Sequence, residues 1–100
     1  MSQMVQRKLN PPMPGDVLRQ KLVDELGIKQ ARVARAIGIS AARLNMTLNG
    51  RCPISPEIAL RIEKVFGISS GFWLNLRAEF ELFQERQRIS NELNDLGQWG

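Results

Sequence analysis

The sequence predicts an all-α domain of five helices. No segment alternates polar and apolar residues as a strand does, apolar residues recur three to four positions apart, and glycine or proline separates these runs. The length of 100 residues is that of one domain with a modest core. Residues 1–12 are polar and basic and end in two prolines, which predicts a flexible N-terminal arm before a domain at residues 13–86. Residues 87–100 are expected to form a tail or a short helix.

The first two helices are predicted from their start and stop signals. Pro14 suits the first position of a helix, and Gly27 suits its C-terminal stop. A second helix is expected from about Lys29 to Ile37, ending at Gly38. The apolar face of the first helix comprises Val17, Leu18, Leu22 and Leu26.

Serine caps predict the next two helices. Ser40 is a good N-cap for a third helix, which Asn49-Gly50 closes. Ser55 caps the fourth, with Pro56 at its first position. Leu44 and Leu48 of the third helix face inward. The apolar face of the fourth comprises Ile58, Ala59, Leu60, Ile62, Val65 and Phe66, and Gly67 ends the helix.

The fifth helix, from about Ser69 to Arg86, is predicted to carry two apolar stripes. At about 100° per residue, one arc holds Phe72, Trp73, Leu76, Phe80 and Phe83, and a nearly opposite arc holds Leu74, Ala78 and Leu82. One stripe can pack on the other four helices, but the second needs another cover. We expect a homodimer interface at Leu74, Ala78 and Leu82. In the alternative, residues 87–100 fold back over that stripe with Ile89, Leu93 and Leu96.

The composition argues against an enzyme and against a metal site. With no histidine and a single cysteine, Cys52, neither a zinc site nor a histidine relay can be assembled, and no cofactor is expected. A single cysteine excludes an internal disulfide, which fits a cytoplasmic protein, and no apolar run is long enough to cross a membrane. Cys52 lacks a neighbouring base, so a structural role is favoured over a reactive thiol.

Positive charge is concentrated in one segment. The chain has a net charge of +4, and residues 29–56 contain five lysines and arginines and no acidic residue. A field of one sign favours a polyanion such as DNA as the partner. A charge cluster taken alone is more often a solvated basic face, so the interpretation depends on the motif within it.

Residues 30–49 have the pattern of a helix-turn-helix, which is two short helices joined by a glycine-containing turn. Ala34 is small where the two helices cross closely, and Gly38 suits a turn that needs a positive φ. Within a basic, acid-free segment, this set indicates DNA binding rather than a purely structural helix pair. Thr47 departs from the pattern, because an aliphatic residue normally supports the second helix there. Either Thr47 is partly exposed or Leu48 takes over the packing.

The predicted DNA-binding residues lie near the starts of the two motif helices. In such a motif the first residues of the second helix approach base edges in the major groove, and the start of the first helix contacts phosphates. Small side chains at Ser40–Ala42 let the backbone come close, although helix propensity alone also explains the alanines. Because long polar side chains are few, selectivity is expected from dimer spacing and DNA shape. The predicted set comprises Lys29, Gln30, Ser40, Ala41, Ala42, Arg43, Asn45 and Met46.

The segments "PGDVL", "ISPEIALRI" and "FWLNLRAEFEL", in this order, resemble the HigA-type antitoxins, also called the VapI type, of the Cro/C1-type helix-turn-helix superfamily. The resemblance covers about residues 11–83. It implies a five-helix, lambda-repressor-like DNA-binding fold that dimerises through C-terminal elements. It also implies that the protein binds a RelE-like ribonuclease toxin and represses the shared promoter. The departures are Met13 in place of a histidine, Ser70-Gly71 in place of a Pro-Glu pair, and Thr47.

Two other functions stay open. One is a stand-alone helix-turn-helix repressor without a toxin, and the other is an interaction module that has lost DNA binding. The candidate toxin-binding segments are residues 1–10 and 87–100, because neither the core nor the DNA face requires them. A frayed terminus is the ordinary explanation of each segment.

Overall fold

The structure, a computed structural model, describes residues 10–99, and all regular structure within them is helical. The helices are α1 (Pro14–Leu18), which continues into a π-helical segment (Arg19–Asp24), α2 (Gln30–Ile37), α3 (Ala41–Leu48), α4 (Pro56–Phe66), α5 (Ser70–Arg88) and α6 (Ser90–Asp95). The all-α prediction is confirmed, and each of the five predicted helices is present. Residues 1–9 of the predicted arm lie outside the described residues, and Asn10–Pro12 are not helical.

The helix starts follow the predicted capping chemistry. The Ser40 hydroxyl accepts a hydrogen bond from the backbone N–H of Arg43 at 3.0 Å, and the Ser55 hydroxyl accepts one from Ile58 at 3.2 Å. Each bond satisfies one of the amides that the first turn of a helix leaves without a partner. The boundaries of α3 and α4 are therefore set by local sequence.

The first helix differs from the prediction after Leu18. Its backbone adopts π-type hydrogen bonding, in which the N–H of Glu25 donates to the carbonyl of Gln20 at 2.8 Å. The wider turn changes the phase of the helix. Leu18 and Leu22 stay buried, whereas Leu26, predicted on the apolar face, is 55% exposed.

The core is built from all of the helices from α1 to α4 and from the first half of α5. Trp73 is fully buried at its centre, although its indole Nε1 has no hydrogen-bond partner among the described residues. The other buried apolar residues are Leu18, Leu22, Val33, Ala34, Ile37, Leu44, Leu48, Ile54, Ile58, Ala59 and Ile62. Leu60 and Val65, predicted on the packed face of α4, are exposed. The face of α4 that packs on other helices is therefore narrower than the apolar face predicted for it.

The first turn of α1 packs directly on the C-terminal end of α3. A Cβ at Gly15 would lie 2.5 Å from the carbonyl oxygen of Leu48 and 2.6 Å from that of Thr47, so only glycine fits there. The Thr47 side chain is buried beside Leu48, and its hydroxyl donates to the Arg43 carbonyl at 3.1 Å. The expectation that Thr47 is partly exposed is therefore wrong, and burial is possible because a backbone carbonyl accepts the hydrogen bond of its hydroxyl.

The second half of α5 extends beyond this core. Of the predicted interface stripe, Leu74 is half-buried against the core, while Ala78 and Leu82 are exposed. Helix α6 contacts α5 but leaves Leu82, Leu93 and Leu96 exposed. The alternative in which the tail folds back and covers the stripe is therefore wrong for residues 87–99. None of the helices in residues 10–99 combines the length and the hydropathy needed to cross a bilayer.

Candidate nucleic-acid interface

Helices α2 and α3 form the predicted helix-turn-helix. Gly38 adopts φ 77° and ψ 31°, the left-handed conformation that favours glycine, and it ends α2. The N–H of Ile39 then donates to the carbonyl of Ala34 at 3.0 Å, which closes the turn. Val33, Ala34 and Ile37 are buried beneath the crossing. The turn and its packing therefore match the pattern read from the sequence.

The first turn of α3 lies open to solvent. Ser40, Ala41 and Ala42 are exposed, and Asn45 and Met46 are exposed further along the same helix. The exposed side chains of the first turn are small, so the helix backbone can approach a flat surface closely. This exposure is what major-groove docking of a recognition helix requires.

A chain of side-chain hydrogen bonds connects α2 with α3. The Gln30 amide donates from Nε2 to Oδ1 of Asn45 at 3.2 Å, and Asn49 donates from Nδ2 to the same oxygen at 3.2 Å. Arg19 in turn donates from Nη2 to Oδ1 of Asn49 at 3.1 Å. Two predicted contact residues, Gln30 and Asn45, are thus oriented by each other. A network of this kind limits the rotamers available to its members before any ligand binds.

Arg43 is half-buried and paired with a carboxylate. Its Nη2 donates to Oε1 of Glu57 at 3.0 Å, and Oε2 of Glu57 accepts from Nε of Arg61 at 3.1 Å. The hydrogen bond from Arg43, with a smaller contribution from Arg61, lowers the pKa of the Glu57 carboxyl below its ordinary value. Because the pKa is lowered in the folded state, the pair is present at neutral pH and is lost as the pH falls through that pKa.

A helix-turn-helix family model matches residues 18–73, which is more than half of the chain. The matched segment begins at the end of α1 and reaches the first turn of α5. The chain belongs to this helix-turn-helix family. The matched residues include both helices of the motif and α4, which carries Glu57.

The chain is similar to antitoxins and to virulence-associated proteins. The chain is 35% identical to virulence-associated protein A' of Dichelobacter nodosus, over 93% of this chain and 81% of that protein. It is similar to the structure of Pseudomonas aeruginosa antitoxin HigA with the higBA promoter, at a TM-score of 0.84 and 28% identity, over 91% of this chain and 100% of that one. It is also similar to antitoxin GraA in complex with its operator, at a TM-score of 0.80 and 30% identity, over 91% and 93%.

The resemblance to HigA-type antitoxins is thereby confirmed, and the chain is a DNA-binding helix-turn-helix protein similar to the HigA family. The matched relatives are antitoxins and regulators, in agreement with a function that is not enzymatic. Residues 10–99 hold no group of three or more side chains able to ligate a metal.

In the folded protein, the basic residues of the acid-free segment 29–56 are not all without a carboxylate partner. Lys29, Arg32 and Arg35 are exposed and pair with no carboxylate within residues 10–99. Arg43, from the same acid-free stretch, is paired with Glu57 of α4. Residues 29–56 contain no acidic residue, but in the fold a carboxylate of α4 lies beside Arg43.

Sequence reasoning missed Glu57 and Arg61 as parts of the site. Glu57 follows a cap and a proline, so its position suggested only a favourable interaction with the helix dipole. Arg61 lies 18 positions after Arg43 in the chain, and no spacing rule relates the two. Only the docking of α4 on the helix-turn-helix brings them together.

Proposed function

We propose that this protein is a dimeric antitoxin that represses its own operon and neutralises a RelE-like, mRNA-cleaving toxin. One observation carries the DNA-binding part of the proposal. The small residues Ser40–Ala42 are exposed on the first turn of α3, at the edge of a basic surface. Two similar proteins were solved with promoter or operator DNA, which supports a DNA-binding role for this chain.

On DNA, the start of α3 enters the major groove and the start of α2 contacts the backbone. Ala41 and Ala42 allow close approach and offer methyl groups to thymine. Arg43, Asn45 and Met46 reach towards base edges, while Lys29 and Gln30 contact phosphates and set the docking angle.

A homodimer supplies the second recognition helix. Two half-sites about 34 Å apart, one helical turn of DNA, are the usual target of paired motifs. The stripe of Ala78 and Leu82 is exposed on a helix that extends beyond the core, and half-buried Leu74 lies at its inner end. A groove of about 760 Å³ lies along the same half of α5, lined by Pro11, Glu79, Leu82, Phe83, Arg86, Gln87 and Ser90. An apolar face of this kind supports pairing of α5 with a second copy.

The C-terminal segment is the better-supported candidate for toxin binding. Residues 87–99 carry Glu92 and Asp95 and one basic residue, Arg88, which is paired with Glu85. Leu93, Leu96 and Trp99 are exposed there, with Trp99 fully accessible. An acidic segment with exposed apolar side chains fits a basic, apolar-lined partner surface. The other candidate, residues 1–10, lies almost entirely outside the described residues.

Groove insertion is tested by Ala42→Glu, measured by binding to a duplex from the protein's own promoter and to a random duplex at several salt concentrations. Wild type is expected to prefer the promoter and to weaken steeply with salt. Glutamate at position 42 is expected to abolish promoter binding, because it adds bulk and negative charge in the groove. Ala36→Glu, the same change at an exposed α2 position outside the predicted set, is the control. Binding by wild type without salt dependence or promoter preference refutes the proposal.

The toxin is tested with the product of the neighbouring open reading frame. Co-expression is expected to yield a stable complex in which mRNA cleavage by that product is suppressed. If the neighbouring gene encodes no small ribonuclease and the promoter preference persists, the stand-alone repressor is the correct function. Gln30→Ala combined with Arg43→Ala tests the interaction module, which predicts that losing these side chains leaves the phenotype unchanged.

A further inference from the structure

Glu57 of α4 links α3 to a second arginine of its own helix. Its two carboxylate oxygens are each occupied, one by Arg43 of α3 and the other by Arg61 of α4, at nitrogen–oxygen distances of 3.0 Å for both ion pairs. Arg61 also donates from Nη1 to the carbonyl oxygens of Ile37 at 3.0 Å and Gly38 at 3.3 Å. A continuous path of hydrogen bonds therefore runs from the turn, through α4, to the exposed side of α3.

This bridge is poorly placed to stabilise the fold. The side chains of Arg43, Glu57 and Arg61 are 39%, 53% and 40% exposed, and ion pairs this accessible contribute little to stability. Its position has a clearer consequence. Arg43 lies one residue beyond the small side chains at the start of α3, so the carboxylate sits beside the surface that approaches DNA.

We infer that Glu57 is a specificity-determining residue of the DNA interface. It orients the guanidinium of Arg43 and offsets its charge, so Arg43 strengthens binding mainly where a base edge is positioned to accept its hydrogen bonds. The inference rests on the proposed DNA-binding function and adds how the site discriminates between sequences.

The discrimination follows from competition between two acceptors. On random DNA, a phosphate must displace the Glu57 carboxylate from Arg43 while itself being repelled by that carboxylate. At the correct site, a guanine offers acceptors in the direction that the bridge has already given to the guanidinium. Glu57 therefore weakens non-specific binding more than specific binding. Glu57 thus determines mainly the ratio of specific to non-specific DNA affinity.

Glu57→Gln removes the charge and keeps the shape of the side chain. We expect affinity for a random duplex to rise on the order of threefold to tenfold, because Arg43 is no longer neutralised by a carboxylate and can contact a phosphate. The salt dependence is expected to steepen by up to about 0.9 in log–log slope for one added phosphate contact. Affinity for the promoter duplex is expected to change less, so the ratio of promoter to random affinity falls about threefold or more.

Glu25→Gln is the matched control, because Glu25 is exposed and accepts no side-chain hydrogen bond within residues 10–99. A second control places Glu57→Gln in the Arg43→Ala background, where its effect is expected to shrink to that of Glu25→Gln. Glu57→Asp keeps the charge but is too short to bridge both arginines, and an intermediate ratio is expected.

The outcomes separate this inference from the function on which it rests. If wild type shows no promoter preference, the proposed function fails. If wild type discriminates and Glu57→Gln behaves as Glu25→Gln does, the DNA-binding function stands and the role of Glu57 is refuted. Equal weakening on both duplexes also refutes it, because that result is expected of a purely structural residue.

Discussion

The helix-turn-helix end of the molecule and the α5–α6 end differ in which of their side chains find contacts within one chain. Around α3, Leu44 and Leu48 are buried, and several exposed polar groups are hydrogen-bonded to one another, as in the pairs Gln30–Asn45 and Arg43–Glu57. Along the second half of α5 and in α6, large apolar side chains such as Leu82 and Leu93 are exposed. The helix-turn-helix end makes these contacts within one chain, whereas the α5–α6 end presents apolar surface that a second protein would cover.

This difference separates the two recognition tasks proposed for the protein. A preorganised polar surface can dock on DNA without rearranging its side chains, which limits the entropy lost on binding. An apolar surface gains more from burial against protein. Substitutions of buried apolar residues at the first end should change the stability of one chain, and substitutions of exposed apolar residues at the second should change association.

Leu48→Ala and Leu82→Ala form the sharpest test of this contrast. Leu48 is 1% exposed and Leu82 is 51% exposed. We expect Leu48→Ala to lower the free energy of unfolding by about 2–5 kcal/mol, through lost burial and the cavity left behind. Leu82→Ala should leave single-chain stability within about 0.5 kcal/mol and weaken self-association. Urea unfolding at two protein concentrations, with sedimentation, measures both quantities. Equal losses of single-chain stability would contradict the contrast.

Two glycines near helix starts provide the next test. Gly15 in α1 has no room for a Cβ against the α3 backbone, whereas a Cβ at Gly71 in α5 would only contact the Ser69 hydroxyl at 3.5 Å. We expect Gly15→Ala to destabilise by about 1–3 kcal/mol or more, because the crowding atoms belong to the backbone. Gly71→Ala should stabilise by about 0.5–1 kcal/mol through helix propensity. Thermal unfolding of both variants gives the two signs, and a stabilising Gly15→Ala would show that the α1–α3 contact is looser than described.

The cap of α3 predicts a smaller effect. Ser40→Ala removes the acceptor for the Arg43 N–H, and a loss of about 1 kcal/mol in unfolding free energy is expected. Ser40→Asp keeps an acceptor and should retain the stability while reducing DNA affinity, because it adds negative charge to the groove-facing turn. If Ser40→Asp bound promoter DNA as wild type does, the first turn of α3 would not face the phosphates or bases.

What could be predicted from the sequence was local. Serine caps, helix-ending glycines and the turn of the motif depend on neighbouring residues, and Ser40, Ser55 and Gly38 behave as expected. The π-helical segment, the exposure of Leu26 and the Arg43–Glu57 pair were not predictable in the same way. Each depends on how one helix docks on another, and side-chain periodicity indicates a face but neither its width nor its partner.

Thr47 tests the smallest of these docking effects. Its methyl group is buried near Leu48, and its hydroxyl donates to a carbonyl that also belongs to the α3 hydrogen-bond ladder. Thr47→Val keeps the approximate shape of the side chain and removes the hydrogen bond to the carbonyl four residues earlier, a bond that slightly strains a helix. The free energy of unfolding is therefore expected to change by no more than about 1 kcal/mol. Thr47→Ser keeps the hydroxyl but empties the methyl site, and a loss of about 1 kcal/mol is expected. Urea unfolding of both variants should therefore rank valine above serine. The reverse ranking would mean that the hydroxyl, rather than the methyl group, holds α3 against the core.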